Sequence, residues 1–319
     1  MKRMIAMTLA LMLLLGLTAC GGAAPADDGK YTIGICQLVT HDALDAATKG
    51  FQDAVIAGLG EENVTFDLQN AAGDSNTCAS IANAFVAAEV DLIMANATPA
   101  LQNAQAATAD IPILGTSVTE YGVALDIKDF TGTVGGNVSG TSDLAPLDEQ
   151  AAMLQEWFPD AKNVGLLYCS AEANSKYQVD TIKALLEGKG YTCPLFAFAD
   201  SNDMPAVTNA ACEFSDVIYV PTDNAVASST DIIDGICRPA GVPIIAGEEG
   251  ICAGCGVATL SISYYDLGYK TGEMAVQILK GETDIATMEI AYAPATPKYN
   301  AEICTDLGLT APEGYAAIG

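Results

Sequence analysis

The sequence is poor in positive charge. Its 319 residues include 13 Lys plus Arg against 40 Asp plus Glu, which gives a formal net charge of −27 at pH 7. A protein that binds a nucleic-acid backbone needs clustered cations, and so does a polybasic membrane patch. The balance argues against both kinds of contact, and we expect no nucleic-acid partner.

Arginine and histidine are the scarcest of the charged and titratable residues. Arg3 and Arg238 are the only arginines, and His41 is the only histidine. Sites for phosphate usually use a guanidinium group, and Ser-His-Asp or Cys-His catalysis needs histidine. Phosphate-binding glycine loops and the Gly-x-Ser-x-Gly elbow are absent from the sequence. We therefore predict a protein that is not an enzyme and that needs no cofactor and no metal.

What is abundant is apolar surface. Half of the residues are hydrophobic and 17% are charged, so the chain can bury enough apolar area to fold. The length suggests two domains of about 100 to 200 residues each.

The beginning of the chain predicts its location. A basic Met1-Lys2-Arg3 precedes an apolar run to Leu17, and Leu17-Thr18-Ala19-Cys20 resembles the bacterial lipobox. We expect residues 1–19 to be a signal peptide, Cys20 to be lipidated, and residues 20–30 to be a tether. No later run reaches the length of about 18 apolar residues that a membrane span requires. The expected location is the extracytoplasmic face of the cell membrane, with a lipid anchor.

Nine cysteines remain after Cys20, an odd number that cannot pair completely within one chain. Their spacing leaves open whether some form disulfides or all are reduced. Cys252 and Cys255 form the only C-x-x-C motif, which would suit a thiol oxidoreductase if it opened a helix. A β-like run follows it instead, so this function is the weaker alternative.

The remaining chain contains an apparent duplication. Short apolar runs alternate with amphipathic stretches, which is typical of parallel sheets covered by helices on both faces. The order restarts near Asn163. Asp74-Ser75-Asn76 lies 17 residues before Asp91, and Asp200-Ser201-Asn202 lies 16 residues before Asp216. Both triplets are predicted to open helices. The fold class is α/β, with two doubly wound, Rossmann-like parallel-sheet domains.

The duplication predicts a cleft between the two domains. In such sheets ligands bind at the carboxyl ends of the strands, so the two edges would face each other. Thr98 and Asp223 lie seven residues after Asp91 and Asp216. A helix N-terminus with a hydroxyl suits a carboxylate, and an aspartate suits an ammonium group, so together they describe a zwitterion. The alternative is that both residues are only helix N-caps.

Other loops at the same strand ends supply further candidates. His41 and Asn174 occupy corresponding loops and would face each other, and Thr116-Ser117 corresponds to Gly247-Glu248. An exposed loop position without function is the alternative for His41. The predicted ligand-binding residues are Gln37, His41, Thr98, Thr116, Ser117, Ser142, Asp143, Asn174, Asp223, Asn224 and Glu248.

Several of these loops carry a family resemblance. The segments that carry it are His41 to Ala46, Asp67 to Asn70, Ala97 to Ala100, Gly140 to Asp143, Ser170 to Ser175, Tyr219 to Asn224 and Tyr264 to Gly268. The chain resembles type I periplasmic binding proteins of bacterial ABC importers, in the branch of tryptophan- and tyrosine-type amino-acid binding lipoproteins. Gly247-Glu248-Glu249 and Cys252 to Cys255 depart from that pattern.

The resemblance implies two lobes joined by three crossings, near Gly140, Ser263 and Thr287. Residues 31–140 and 264–287 would form the first lobe, and residues 141–263 and 288–319 the second. Hinge closure over a small ligand is expected, followed by delivery to an ABC permease, with the receptor acting as a monomer. The ligand would be an amino acid, and the resemblance favours an aromatic one; a sugar or a nucleoside is the alternative within the same fold.

Overall fold

Residues 30–318 are described by a computed structural model. The predictions for the signal peptide, for Cys20 and for nearly all of the tether lie outside these residues. Within the described range, no helix combines the length and apolar character that a membrane span requires.

The first sheet has six strands, all parallel, in the order β11-β5-β4-β3-β1-β2. Its strands are β1 (Tyr31–Gln37), β2 (Val64–Asn70), β3 (Leu92–Asn96), β4 (Ile113–Val118), β5 (Val138–Ser142) and β11 (Ala291–Tyr292). Helices α2 (Ser75–Ala87) and α3 (Thr98–Ala107) cover one face. Helices α1 (Asp42–Leu59) and α11 (Tyr264–Leu279) cover the other. A short helix, α4 (Tyr121–Ala124), follows β4, and single 3-10 turns span Glu61–Asn63 and Ile285–Thr287.

The second sheet has seven strands in the order β13-β12-β10-β9-β8-β6-β7, and only the β10–β12 pair is antiparallel. Its strands are β6 (Val164–Cys169), β7 (Leu195–Phe198), β8 (Val217–Val220), β9 (Ile244–Ala246), β10 (Ala258–Ser261), β12 (Thr296–Tyr299) and β13 (Ala316–Ala317). One face is covered by α5 (Leu147–Trp157), α6 (Ala173–Gly188) and α12 (Ala301–Asp306). The other is covered by α7 (Met204–Phe214), α9 (Thr230–Ala240) and α10 (Glu249–Cys255), with the short α8 (Asn224–Ala227) at the sheet edge.

These sheets confirm the predicted doubly wound α/β fold. The inner strands β3, β4, β6 and β8 are buried at every residue, because helices cover both of their faces. The apolar runs that predicted a parallel sheet are therefore the cores of the two halves.

The chain passes between the sheets three times, but two of the predicted crossing points come too early. Strand β5 continues to Ser142, and Ala291–Tyr292 pairs with it in the first sheet. The boundaries predicted at Gly140 and Thr287 therefore both lie within the first half, because pairing along β5 holds these segments. We define the first lobe as residues 31–143 and 264–292, and the second lobe as residues 144–263 and 293–318.

Helix α11 is held in the first lobe by close backbone contact with α1. A Cβ atom on Gly50 would overlap the carbonyl oxygen of Tyr265, and one on Gly268 would overlap that of Ala47. Glycine at these positions lets the two helices approach closely. The return of this helix to the first lobe therefore has a steric basis.

The two Asp-Ser-Asn triplets behave differently. Asp74 caps α2 by accepting a hydrogen bond from the Thr77 amide, as predicted. Asp200 instead accepts from the Asn202 amide at 2.8 Å in a local turn, and α7 starts only at Met204 with Pro205 in its first turn. The prediction that the second triplet opens the helix is therefore wrong by a few residues.

Candidate functional site

Polar side chains from both lobes meet at a small cavity. It is lined by His41, Leu44, Asp143, Thr222, Asp223, Asn224, Ala227, Glu248 and Tyr264. Its volume is about 10 Å³, which is enough for about one water molecule. Five of the predicted site residues are thus brought together, and no Lys or Arg side chain lines this cavity.

Asp143 follows β5 and has one uncommitted oxygen. Its Oδ2 accepts a hydrogen bond from the Tyr264 hydroxyl at 3.0 Å, whereas its buried Oδ1 has no hydrogen-bond partner among residues 30–318. Burial raises the pKa of Asp143 to about 6. A buried carboxylate oxygen without a donor is costly, and a cationic group placed beside it would remove that cost.

Asp223 is the N-cap of α8, and both of its oxygens are occupied. Oδ1 accepts from the Val226 amide at 3.0 Å and Oδ2 accepts from the Cys169 amide at 2.7 Å. Burial, and then the nearby Glu172 charge, raise the pKa of Asp223 to about 7. The N-cap interpretation is therefore correct for this residue, and its carboxylate remains in the cavity wall.

Glu248 repeats this arrangement on α10. Its carboxylate accepts from the amides of Gly250, at 2.7 Å, and Ile251. Burial raises the pKa of Glu248 to about 7. This loop of the second lobe thus also uses its carboxylate to begin a helix.

Glu172 supports the cavity residue Asn224, and the sequence reasoning missed it. It is buried, and its carboxylate accepts from the Asn224 side chain at 2.6 Å, the Asn224 amide at 3.1 Å and the Ala225 amide at 3.0 Å. The Asn174 side chain donates to it at 3.0 Å. The sequence could have indicated Glu172 by its position two residues before Asn174, in a loop that was predicted to bind the ligand.

The Asn174 amide group is only partly used. Its Nδ2 donates to Glu172 and to the Thr222 carbonyl, but its buried Oδ1 has no partner in the described part of the chain. Among the predicted residues of the second lobe, it is the one with an uncommitted acceptor.

Two hydroxyl groups at the strand ends of the first lobe are also uncommitted. Thr98 is the first residue of α3 and is 2% exposed, and Ser117 lies at the end of β4. Neither Oγ atom has a hydrogen-bond partner within residues 30–318. Ala97, the N-cap of α3, provides no side-chain cap and has a φ of 91°, and Ser117 has a φ of 54°. Unpaired amides at a helix start and free hydroxyls suit an anionic group. The positive φ angles of Ala97 and Ser117 are typical of backbone at a binding site.

Three predicted residues are committed to internal hydrogen bonds. Gln37 donates to Asp45 at 2.6 Å, and Thr116 lies 3.2 Å from the Thr141 hydroxyl. Ser142 donates to the Thr119 carbonyl at 2.8 Å. Like Thr98, Ser117 and Asn174, none of the three lines the cavity. Their polarity supports the surrounding loops, and sequence alone could not separate that use from ligand contact.

His41 and Asn224 connect the two lobes directly. The His41 Nε2 atom lies 3.3 Å from the Asn224 Oδ1 atom. Burial lowers the pKa of His41, so the neutral ring is favoured. His41 is half-buried and therefore does not fit the alternative prediction of an exposed loop position.

The C-x-x-C motif lacks the environment of a redox pair. Cys252 and Cys255 are buried within α10, and burial raises the pKa of both thiols. Reactive cysteines need exposure and a lowered pKa.

No cluster of three or more potential metal ligands occurs in residues 30–318.

Comparison with known proteins places these features in context. The family profile described as ABC transporter substrate binding protein matches residues 32–314. The tyrosine-binding protein of Clostridioides difficile (strain R20291) is 38% identical over 288 residues, which cover 88% of this chain and 83% of that protein.

Two solved structures are similar in fold and sequence. The ABC domain from Streptococcus pneumonia in complex with L-Trp is 32% identical, with a TM-score of 0.85 over 91% of this chain and 100% of that one. The ligand-free, open structure of a substrate binding protein with adhesive properties from Clostridium difficile is 39% identical, with a TM-score of 0.69 over 90% of this chain and 99% of that one. The described lobes are thus closer in shape to the complex than to the open structure, although sequence identity runs the other way.

Proposed function

The chain belongs to the family of ABC transporter substrate-binding proteins, and from this premise we propose that it binds an aromatic α-amino acid between its lobes. The observation that carries the proposal is the pairing of uncommitted groups of opposite kind. These are the free Oδ1 of Asp143, which lies in the cavity wall, and the free hydroxyls of Thr98 and Ser117, which lie at other strand ends of the same lobe.

The ammonium group of the ligand would lie at the carboxylates. Asp143 offers an oxygen without a partner, and Asp223 and Glu248 add negative potential in the same cavity wall. No cationic side chain lines this cavity to neutralise them. A bound ammonium would offset the cost of burying these charges, because an opposite charge nearby favours the ionised carboxylate.

The carboxylate group of the ligand would lie at the beginning of α3. Thr98 and Ser117 can donate hydroxyl protons there, and the first amides of the helix lack a side-chain cap. The partial positive charge of the helix N-terminus adds to this attraction. An arginine is not required, in keeping with the shortage of guanidinium groups in the sequence.

An aromatic side chain is supported by the relatives. One is a tyrosine-binding protein and another was solved in complex with L-Trp. The ring of Tyr264 lies in the cavity wall, where it could pack against a second ring.

Binding would require the lobes to separate and close again. The cavity holds about one water molecule as the lobes are packed, so an amino acid enters only when its walls part. Closure would bring His41 and Asn224 together again at the edge of a cavity that the ligand has widened. The ligand would shift the closed population only by its differential affinity for that state.

We also propose the cellular setting. The lipobox-like Leu17 to Cys20 supports lipid anchoring at Cys20, and the family supports delivery of the ligand to an ABC permease by a monomeric receptor. Metabolic labelling with a fatty-acid analogue should mark the wild type and not Cys20→Ser.

Calorimetric titration of the purified protein with amino acids tests the proposed ligand. Tyrosine or tryptophan should bind and raise the melting temperature, because a ligand of the folded state stabilises it. Asp143→Asn should bind both much more weakly. Stabilisation by a sugar or a nucleoside, with no response to any amino acid, would overturn the proposal.

A further inference from the structure

A second chemical site lies in the second lobe, away from the cavity. Cys212 near the end of α7 and Cys237 near the end of α9 face each other, with their Sγ atoms 3.2 Å apart. A disulfide has an S–S bond of about 2.05 Å, so a small movement of one side chain would bring the two sulfur atoms to bonding distance.

The two thiols differ in accessibility. Cys237 is 1% exposed and packs within the apolar core between the second sheet and its helices. Cys212 is half-buried, and it is the only cysteine in residues 30–318 that is not fully buried. A dissolved reagent can therefore reach the pair through Cys212 alone.

We propose that Cys212 and Cys237 are a thiol pair that exchanges with an external disulfide and becomes an internal disulfide joining α7 to α9. In the first step the Cys212 thiolate attacks one sulfur of the reagent and expels its first thiolate. In the second step the Cys237 thiolate attacks the Cys212 sulfur of this mixed disulfide and expels the second thiolate. Two protein thiols are oxidised, one external disulfide is reduced to two thiols, and the two thiol protons pass to the products or the solvent.

Hydrogen bonding between the thiols supports this order. The two thiols share a hydrogen bond in which either sulfur can donate. This contact lowers the pKa of Cys212, whereas the same contact, followed by burial, raises the pKa of Cys237. The half-buried Cys212 thiol is thus the easier one to ionise, as the first attacking group should be.

A thiol pair in the first lobe provides an internal comparison. Cys36 on β1 and Cys78 on α2 also form a hydrogen bond, but both are 0% exposed. An external disulfide has no access to either sulfur in the folded protein. Contact between thiols is therefore common to both lobes, and access distinguishes them.

The full chain carrying Cys20→Ser, which removes the one cysteine outside the described residues, should be reduced and then treated with dithiobis(nitrobenzoate). This aromatic disulfide releases a coloured thiolate at each step. The folded protein should release two equivalents, retain no label, and yield a cross-linked peptide containing Cys212 and Cys237.

Single substitutions separate the two steps. Cys237→Ser should release one equivalent and keep the label on Cys212, whereas Cys212→Ser should release none. Cys193→Ser, a buried cysteine of the same lobe, should behave like its parent. A variant that fails to fold would be recognised because it releases as many equivalents of thiolate as urea-denatured protein. The double variant Cys193→Ser/Cys237→Ser repeats the count of released thiolate in a second protein, and it should again release one equivalent.

The proposal is overturned if the folded protein keeps a stable label on Cys212, releases no thiolate, or bonds Cys237 to a different cysteine. The bond would matter in cells outside the cytosol, where thiol oxidants are available. Its occurrence there depends on the proposed location, but the reaction of the purified protein does not, so the two can fail separately.

Discussion

The two sides of the cleft present polar groups that differ in availability. In the first lobe, Thr98, Ser117 and Asp143 each keep a buried oxygen without a hydrogen-bond partner in residues 30–318. In the second lobe, the carboxylates of Asp223 and Glu248 accept hydrogen bonds from backbone amides at helix starts. Polar residues at equivalent strand ends therefore differ in what they bind: those of the first lobe keep free oxygens, and those of the second lobe cap helices.

The physical cause of the difference is helix capping. An N-cap carboxylate satisfies amides that would otherwise be unpaired, so its oxygens are already occupied when a ligand arrives. The first lobe begins α3 at Ala97, which has no side chain able to cap. Its amides and hydroxyls thus stay available. We infer that the first lobe supplies most of the ligand recognition and that the second lobe supplies shape and negative potential.

The largest expected effect comes from Asp143. Asp143→Asn keeps the size of the side chain and can still accept from Tyr264, but it removes the negative charge. Loss of a buried charged partner costs about 2 to 5 kcal/mol, so the Kd for tyrosine or tryptophan should rise about 30- to 4,000-fold. Calorimetric titration measures this. An unchanged Kd would show that Asp143 does not contact the ammonium group.

The matched change in the second lobe is Asp223→Asn. The new amide nitrogen would face an amide donor, because both Asp223 oxygens accept from the backbone. Urea unfolding should show a loss of about 1 to 3 kcal/mol in the free energy of unfolding. The Kd should change less than in Asp143→Asn. The reverse ranking would place the ammonium group at Asp223, as the sequence suggested.

The next effect in size is expected at Thr98. Thr98→Val removes a hydroxyl that has no partner in the described residues, so it should leave stability nearly unchanged. It should weaken amino-acid binding about 10- to 100-fold, the usual worth of a hydrogen bond to a charged group.

Thr116→Val is the matched control for that change. Thr116 shares a hydrogen bond with Thr141, so its replacement should lower the free energy of unfolding by about 1 kcal/mol and leave the Kd unchanged. Equal loss of affinity in both variants would indicate a general loosening of the lobe.

A smaller effect is expected from pH. Asp143 must be ionised to hold an ammonium group, and its pKa of about 6 means that protonation competes with binding in acid. Affinity at pH 5 should be about tenfold lower than at pH 7, and Asp143→Asn should show a flatter profile over that range. Titration calorimetry at several pH values tests this, and affinity that rises toward acid would contradict it.

The stability of the unliganded protein should respond in the opposite direction. The folded-state pKa values of Asp143, Asp223 and Glu248 are raised, to about 6 or 7. Their contribution to stability is therefore fully present below about pH 4 and is lost as the pH rises through about 6 to 7. His41 has a lowered pKa and acts oppositely, since its contribution is lost as the pH falls.

The smallest effect is expected at the contact between the lobes. His41→Ala removes one hydrogen bond of 3.3 Å, so it should favour separation of the lobes and raise the Kd about threefold. Small-angle scattering with and without ligand would follow the separation. A loss as large as that of Asp143→Asn would instead make His41 a principal ligand contact.

Much of the fold could be predicted from the sequence, because a strand that helices cover on both faces needs apolar residues at every position and so appears as a short apolar run. The spacing also selected Asp223, which lies in the cavity wall, and Thr98, which begins α3 and does not line the cavity. The points at which the chain crosses between the lobes were harder to predict. Nothing in the residues near Gly140 marks β5 as continuing to Ser142, since strand length there is set by pairing with β4 and β11.

The candidate site could be predicted by position but not by hydrogen bonding. Spacing cannot tell whether a carboxylate at a helix start will be occupied by its own backbone, as for Asp223, or remain open, as for Asp143. Glu172 shows the same limit, because its partners Asn224 and Ala225 are more than fifty residues away in sequence. These distinctions depend on tertiary contacts.

The close packing of α1 with α11 has a consequence for dissecting the molecule. The first lobe is completed by a helix and a strand encoded after the whole of the main second-lobe segment, so neither lobe corresponds to one continuous stretch of gene. A chain ended after β10 would lack α11 and would leave the glycine face of α1 without its cover. Isolating the first lobe would instead require a gene that lacks residues 144–263 and joins residues 31–143 by a linker to residues 264–292.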